Sequence, residues 1–493
     1  MISTAPRSYR WELFLNQAWQ GANFASKALS LALLSPWMIR TWGPVGFALF
    51  ALANSVLVSM AGLDSGIRGA TRLRLCDALQ RGDRADGDLA IWEGAAAFAV
   101  VALPVAAAGW AAAALGGWSR WLHLPPEGDF LLGLTVTLVC LFLFTILLLE
   151  RLIAQNRLST LKAANTAGAV AALPVLAAVL WLKASPTVAV TLYFLCLLVP
   201  NGILLLREGT FHAGFWPQAR RLRWGNVVET FRTGKWFYAT TIASVAKSHA
   251  LTFLVAALGG AAMAGTFYLL LRITEVVGTL GVASADTALA ALAGEPSPRR
   301  RGANFRHTYA YALIFCLHGA LGIAFLTPLV LPLWLPADAL RGLSPAIGWF
   351  IAAYGLATAF SKLVVCSAIP VGIFRRTTAG NLAEAAVTLG LGWLLLPRFG
   401  LPGLFLASVP AALMIVPAAR ALAQNFSQTA RETWLAPWRP LRGPLAASAA
   451  VLAAAAWYGH LLPAAGAAVC VGLSTALALR RLHREEEPAG ETP

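Results

Sequence analysis

Residues 130–150 read FLLGLTVTLVCLFLFTILLLE, twenty consecutive positions without a charge before Glu150. An amphipathic helix on the surface of a soluble protein carries one apolar stripe and a polar opposite face. Here both faces are apolar, and about 20 such residues are what an α-helix needs to cross a hydrocarbon core. A barrel strand is excluded, because the run is too long and lacks period-two alternation.

Outward from this run the same reading gives candidate spans at about 21–40, 43–63, 89–116, 130–150, 162–182 and 187–206. A second group follows at 236–258, 262–288, 308–333, 346–368, 379–396, 401–422, 443–461 and 462–479. The expected fold class is therefore an all-α polytopic membrane protein with about 14 transmembrane helices. Composition agrees: 58% of residues are hydrophobic and only 12% charged, against roughly 25% in soluble domains. Mean hydropathy is +0.67, a value that lipid solvates better than water does.

The net charge of +16 raises the question of nucleic acid. A nucleic-acid binder clusters its cations on one soluble face, whereas these cations sit in short loops between apolar runs, so no nucleic-acid partner is expected. With the N-terminus placed in the cytoplasm, 29 of the 38 Lys and Arg fall on the cytoplasmic side and five on the other. That asymmetry predicts an even number of spans with both termini cytoplasmic. The stretch preceding 21–40 carries Arg7 and Arg10, and no small-residue cleavage site follows, so this run is read as an uncleaved first span. The cysteines Cys76, Cys140, Cys196, Cys316, Cys366 and Cys470 form no CxxC or His/Cys cluster. They read as small apolar residues, with no metal site and no disulfide framework.

The longest polar connection, 207–235, divides six spans from eight. The expected organisation is an N-lobe at 1–206, a cytoplasmic linker at 207–235, a C-lobe at 236–422, and a terminal helix pair with cytoplasmic tail at 423–493. An internal echo fits duplication. Ser26-Lys27 opens a run ending in Gly43 with Phe47 beyond, and Ala246-Lys247 opens a run ending in Gly259 with Phe267-Tyr268 beyond.

The stretch from Ala22 through Pro36, Arg40, Gly43 and Phe47 to Gly62-Leu63-Asp64-Ser65-Gly66-Ile67 resembles the opening of Wzx-type polysaccharide flippases. Gly259-Gly260, Tyr268, Leu271-Arg272-Ile273 and a run closing near Ala288 resemble that family's seventh and eighth spans. The resemblance implies the MOP exporter superfamily: two six-helix, MATE-like lobes around a central cavity, here with a terminal helix pair. It also implies a flippase that carries undecaprenyl-pyrophosphate-linked oligosaccharide from the cytoplasmic to the periplasmic leaflet of a bacterial inner membrane by alternating access. The partners are then a lipid-linked anionic glycan and membrane lipid, the chain is a monomer, and no cofactor is needed.

A charge at mid-bilayer costs about 2.5–3.5 kcal/mol on insertion scales, so it persists where it lines a wet cavity or has a partner. Four cations fall inside spans: Lys27, Lys247, Arg272 and Lys362. Lys27 and Lys362 lie near enough to span ends that snorkelling to the headgroups and a cavity role both remain open. Lys247 lies about 11 residues, or ~16 Å, from either end of 236–258, and Arg272 is similarly deep. Both are expected to bind the anionic headgroup, for which Arg offers a fork of donors and Lys a compact charge.

Glu275 lies one turn after Arg272. It is either the carboxylate that couples transport to H+ or Na+ or the ion-pair partner of Arg272. Asp64, Glu150, Asp286 and Glu384 fall near cytoplasmic ends, with Asp64 read as a cap beside Arg68. His249 and His318 read as packing residues. Pro104, Pro174, Pro328, Pro410 and Pro417 are hinge candidates, and Trp118, Trp121 and Trp334 fit an outer aromatic belt.

Two other functions compete. A MATE-like, cation-coupled exporter of small molecules would favour acidic over basic groups at mid-depth. A membrane glycan polymerase or ligase would carry a large outer loop or an acidic metal-binding motif, but the outer loops are short, and Glu127 and Asp129 sit beside Pro and Gly in a turn. No catalytic residue is expected, and no GxxxxGK[ST] is present.

Overall fold

Where one apolar run follows another with only a glycine between them, the polypeptide stays helical on both sides of the break. The computed structural model describes residues 33–438 apart from 156, 211, 295, 296, 336, 338, 339, 341, 342, 369–372, 427 and 430, with scattered positions outside those limits. Helix α1 (Ser35–Gln80) breaks at Gly43, with φ 71° and ψ 175°. The same backbone state recurs at Gly260 (φ 81°, ψ 168°) within Leu251–Gly294, and Gly400 (φ 62°, ψ −152°) breaks Phe374–Ala412. These angles lie in a region that only glycine adopts without strain. The internal echo thus has a structural counterpart at Gly43 and Gly260, one residue beyond the expected Gly259.

The remaining helices follow the apolar runs. They are α2 (Arg84–Ala114), α3 (Glu127–Leu148), the short α4 (Glu150–Ala154), α5 (Leu158–Trp181) and α6 (Pro186–Arg207). Next come α7 (Trp224–Val245), a π-helical turn (Ala246–Ala250) and α8 (Leu251–Gly294). The series closes with α9 (Pro298–Trp334), α10 (Ile347–Ala368), α11 (Phe374–Ala412) and α12 (Val416–Asn425). Among the described residues nine helices are long and apolar enough to cross a membrane, and no strand occurs. One of the nine, Arg375–Asn425, has 51 residues, more than twice a bilayer crossing, and contains the Gly400 break. The expected count of about fourteen is not reached among the described residues. Most of 21–40 and the terminal pair 443–461 and 462–479 lie outside them, although Leu452 packs on Leu321, Phe325 and Leu326 of α9.

The proline expectation is corrected in part: α2, α5 and α9 run as continuous helix through Pro104, Pro174 and Pro328. Neighbouring helices re-satisfy the freed carbonyl in such settings, so the large backbone departures fall at glycines instead.

The chain packs as two compact units, Met1–Tyr268 and Leu269–Pro493, with the division inside α8. Residues 224–235, read from sequence as part of the linker, are the first turns of α7. In the first unit α1 lies against α2, α3, α6 and α7, while α5 pairs with α6. Between apolar helices in lipid no hydrophobic gain drives association, so close backbone approach does. A Cβ on Gly234 of α7 would lie 2.5 Å from the Gly66 carbonyl oxygen of α1, and one on Gly168 of α5 would lie 2.6 Å from the Cys196 carbonyl oxygen of α6. Phe47 and Tyr268 meet edge to face at 6.3 Å. In the second unit α10 packs against both α9 and α11. Its aromatic residues gather around Trp434, whose ring lies 5.3 Å from Phe305, 4.9 Å from Tyr309 and 5.4 Å from Phe360.

Candidate functional site

Among the described residues of the first unit, the most buried cation sits on a π-helical turn. The helix α7 ends at Val245, and residues 246–250 (AKSHA) continue as a π-turn before α8 begins at Leu251. A π-turn inserts one residue into the helical repeat and recurs at functional sites, because it re-aims side chains without breaking the helix. Lys247 is 7% exposed and His249 3% exposed. The turn packs against α1, whose Asn54 and Ser55 are also buried. The Oγ1 of Thr252, at the start of α8, is buried without a hydrogen-bond partner among the described residues. An interior polar group of this kind costs free energy unless something bonds to it.

In the second unit, Arg272 donates from Nη1 to Glu275 Oε2 along one face of α8, and both side chains are partly exposed. Of the two readings of Glu275, the structure therefore displays the ion pair. Lys362 on α10 is half-buried and makes no ion pair with a described residue. Its neighbour in sequence, Ser361, is fully buried and donates to Glu384 Oε2 of α11. Glu384 heads a buried polar stripe on α11 with Thr377, Asn381 and Thr388 at helical spacing. His318 contacts the Ile314 carbonyl of its own helix at 2.7 Å, as a packing residue does. Lys27 lies outside the described residues.

A separate set of charges closes the loop-rich ends of the first unit's helices. Glu150 is fully buried; Arg68 Nε donates to it at 2.7 Å and Arg72 Nε at 2.8 Å. The two arginines are four apart on α1 and share a face. Glu93 of α2, also fully buried, accepts from Arg74 of α1 and from Asn226 Nδ2 of α7 at 2.6 Å, so it ties three helices together. Asp88 has His212 Nε2 at 3.1 Å and Arg151 Nη2 at 2.9 Å, the latter an ion contact rather than an aligned hydrogen bond. Arg157 holds Glu208 through two parallel bonds of 2.6 and 2.9 Å. Arg68 donates to Glu150, and the expected neighbour of Arg68, Asp64, has its side chain outside the described residues.

Sequence reasoning placed Lys247 inside a span at 236–258, whereas the apolar helix of membrane length begins past it at Leu251; Arg272, Glu275 and Lys362 do fall within such helices, and the structure brings Arg272 and Glu275 together. That reasoning placed Glu384 near a cytoplasmic span end without seeing that it is buried, and it missed the π-turn. The only sequence signal for Glu384 was its position in the polar spacing 377, 381, 384, 388.

No family model matches the sequence, and no curated relative matches it. Solved structures do match. An inward-facing multidrug resistance MATE family transporter of the MOP superfamily superposes with a TM-score of 0.65 at 12% identity, covering 83% of this chain and 99% of that one. The lipid II flippase MurJ, in an inward closed conformation, gives 0.66 at 10% identity and covers 95% of this chain and 99% of that one. A MOP superfamily transporter from Pyrococcus furiosus, described by the reverse polarity of its binding pocket, gives 0.54 at 12% identity over 85% of this chain and 96% of that one. The likeness is one of fold. The chain has the all-helical fold found in MOP superfamily transporters, shared by drug exporters and a lipid-linked flippase, and none of these three is an enzyme.

Proposed function

We propose that the protein is a flippase that moves an undecaprenyl-pyrophosphate-linked oligosaccharide from the cytoplasmic to the periplasmic leaflet of a bacterial inner membrane by alternating access. In this reading both termini are cytoplasmic, and 1–206 and 236–422 act as two lobes of a monomer. The observation that carries it is Lys247, a 7%-exposed lysine on a π-turn just ahead of the apolar helix Leu251–Glu275. An ammonium so buried suits a cargo whose pyrophosphate must shed water to cross. Arg272 and Lys362 supply further positive charge, and Glu275, by releasing or holding Arg272, makes that charge adjustable. The extent of the likeness to the lipid II flippase, 95% of this chain, supports the same reading.

A second reading, a MATE-like cation-coupled exporter of small molecules, is favoured by the buried carboxylate Glu384 beside Ser361. A carboxylate in such a place can take up and release a cation. Proteoliposomes holding a short-chain polyprenyl-pyrophosphate oligosaccharide decide between the two. The flippase reading expects saturable transbilayer movement by the wild type and its loss in Lys247→Ala, with membrane insertion unchanged. Export of cationic dyes with no lipid movement by the folded wild type would overturn it in favour of the exporter.

A further inference from the structure

The arginine-rich end of the first unit holds a cleft of about 340 Å³ that the transport reading does not use. It opens where α2 and α5 begin and α3 and α6 end, so it lies at the level at which the hydrocarbon of a bilayer gives way to headgroups. Its lining mixes two chemistries: Arg84, Arg151 and Arg157 supply cations, and the half-buried Leu79 and the edges of the buried Leu148, Leu149 and Leu152 supply apolar surface. One carboxylate, Glu208, also reaches it, leaving the cations in excess.

Two of the arginines are already fixed in place. Arg157 is gripped by Glu208 through two bonds, and Arg151 is set against Asp88; their side chains are 36% and 14% exposed. A guanidinium has five N–H donors, so a fork spent on one carboxylate leaves others to face the cleft. Arg84, the first residue of α2, is exposed and has no ion-pair partner among the described residues. Pre-fixed guanidinium groups lose little freedom when an oxyanion arrives, and they bond phosphate oxygens strongly.

We propose that this cleft binds the phosphodiester headgroup of an anionic phospholipid from the leaflet that faces the arginine-rich side. The volume lies at the low end of small-molecule sites, enough for a headgroup and too small for an oligosaccharide. The place of the cleft, at the ends of four membrane-spanning helices, favours a lipid headgroup over a soluble anion. Basic pockets between helices at a membrane surface bind such headgroups as a class. The site is independent of which cargo the transporter carries.

The test uses the full chain in neutral-lipid micelles doped with phosphatidylglycerol, with retained lipid counted by native mass spectrometry. The wild type is expected to retain phosphatidylglycerol in preference to phosphatidylcholine. Arg84→Glu and the milder Arg84→Gln are expected to lower that retention, the former by about fivefold. Arg232→Glu makes the same charge change at a residue 76% exposed and paired with Glu229, away from the cleft, and is expected to leave retention unchanged. Thermal unfolding confirms that each variant is folded, and Arg84→Gln carries the test if Arg84→Glu is not. Equal loss in Arg84→Glu and Arg232→Glu would assign the effect to diffuse surface charge and overturn the proposal. Displacement by millimolar inorganic phosphate would overturn the lipid assignment in favour of a soluble phosphate. No preference in the wild type would overturn the site altogether.

Discussion

The most deeply buried carboxylates of the first unit and Glu384 of the second have different neighbours. In Met1–Tyr268, Asp88, Glu93 and Glu150 are at most 1% exposed, and each meets an arginine. In Leu269–Pro493, Glu384 is 3% exposed and accepts a hydrogen bond from the Ser361 hydroxyl. A guanidinium serves only the charged carboxylate, whereas a hydroxyl can donate to a carboxylate and accept from a carboxylic acid. The first arrangement ties helices together through ion pairs. The second sets a carboxyl against a hydroxyl that can turn.

The same substitution in both places gives the largest test of that contrast. Glu150→Gln removes the charge facing Arg68 and Arg72, and the expected loss of stability is about 3 kcal/mol, the lower part of the range for breaking a buried pair. The low end is appropriate because Arg68 and Arg72 are 24% and 41% exposed and water screens part of the effect. Glu384→Gln keeps a carbonyl oxygen for Ser361 to donate to, so its cost is expected to be about 1 kcal/mol or less. Its effect belongs in transport, which proteoliposome assays read directly. Thermal unfolding of the two variants side by side checks the contrast; equal destabilisation would mean that Glu384 is as structural as Glu150.

The glycine breaks sharpen the comparison from the other direction, because here the two units behave alike. Gly43 in the first unit has no atom within 4 Å of an added Cβ, and at Gly400 in the second the nearest is Pro402 Cδ at 3.9 Å. Alanine at either position is penalised through the backbone and not through contacts, by about 1–3 kcal/mol. Gly390 is equally open but lies within helical backbone. There alanine is expected to stabilise by up to about 1 kcal/mol. Unfolding midpoints of Gly43→Ala, Gly400→Ala and Gly390→Ala should fall, fall and rise. A neutral Gly43→Ala would show that the first break relaxes where the second does not.

The sequence made the spans legible because a bilayer demands about 20 apolar residues whatever the neighbours are. It located the breaks at Gly43 and near Gly260 because apolar runs on either side left no other place for them. The Arg272–Glu275 pair was legible as well, since it rests on local helical spacing. The clamps on Glu150 and Glu93 were not. Arg68 and Glu150 are 82 positions apart and Asn226 and Glu93 are 133 apart, and no local pattern records which arginine meets which carboxylate. The π-turn at Lys247 was equally hidden, because one extra residue in a helix leaves composition and hydropathy unchanged. Glu384 was placed near a span end, and only the packing of α10 on α11 shows it as buried.

The smallest expected effect concerns a carboxylate that belongs to neither class. After α12 the sequence Thr429-Ala430-Arg431-Glu432 has the spacing of a capping box, in which a hydroxyl residue and a Glu three positions on satisfy each other's backbone N–H. The structure has both halves: the Thr429 N–H and hydroxyl donate to Glu432 Oε2 at 2.9 Å each, and the Glu432 N–H donates to Thr429 Oγ1 at 3.2 Å. Those bonds favour the charged form, the backbone N–H of Thr429 most and its hydroxyl next, and hold the Glu432 carboxyl below the usual carboxylate range. A carboxyl whose value is lower in the folded chain contributes its stabilisation in full above the unfolded value and loses it as pH falls through the folded one. Carbon-13 carboxyl titration of Glu432 is therefore expected to show a depressed midpoint, and Thr429→Ala is expected to raise it towards the ordinary value. Because Glu432 is exposed, the global unfolding midpoint should hardly move. A large drop on acidification in the wild type, absent from Thr429→Ala, would show that this surface box carries weight that the comparison reserves for the buried carboxylates.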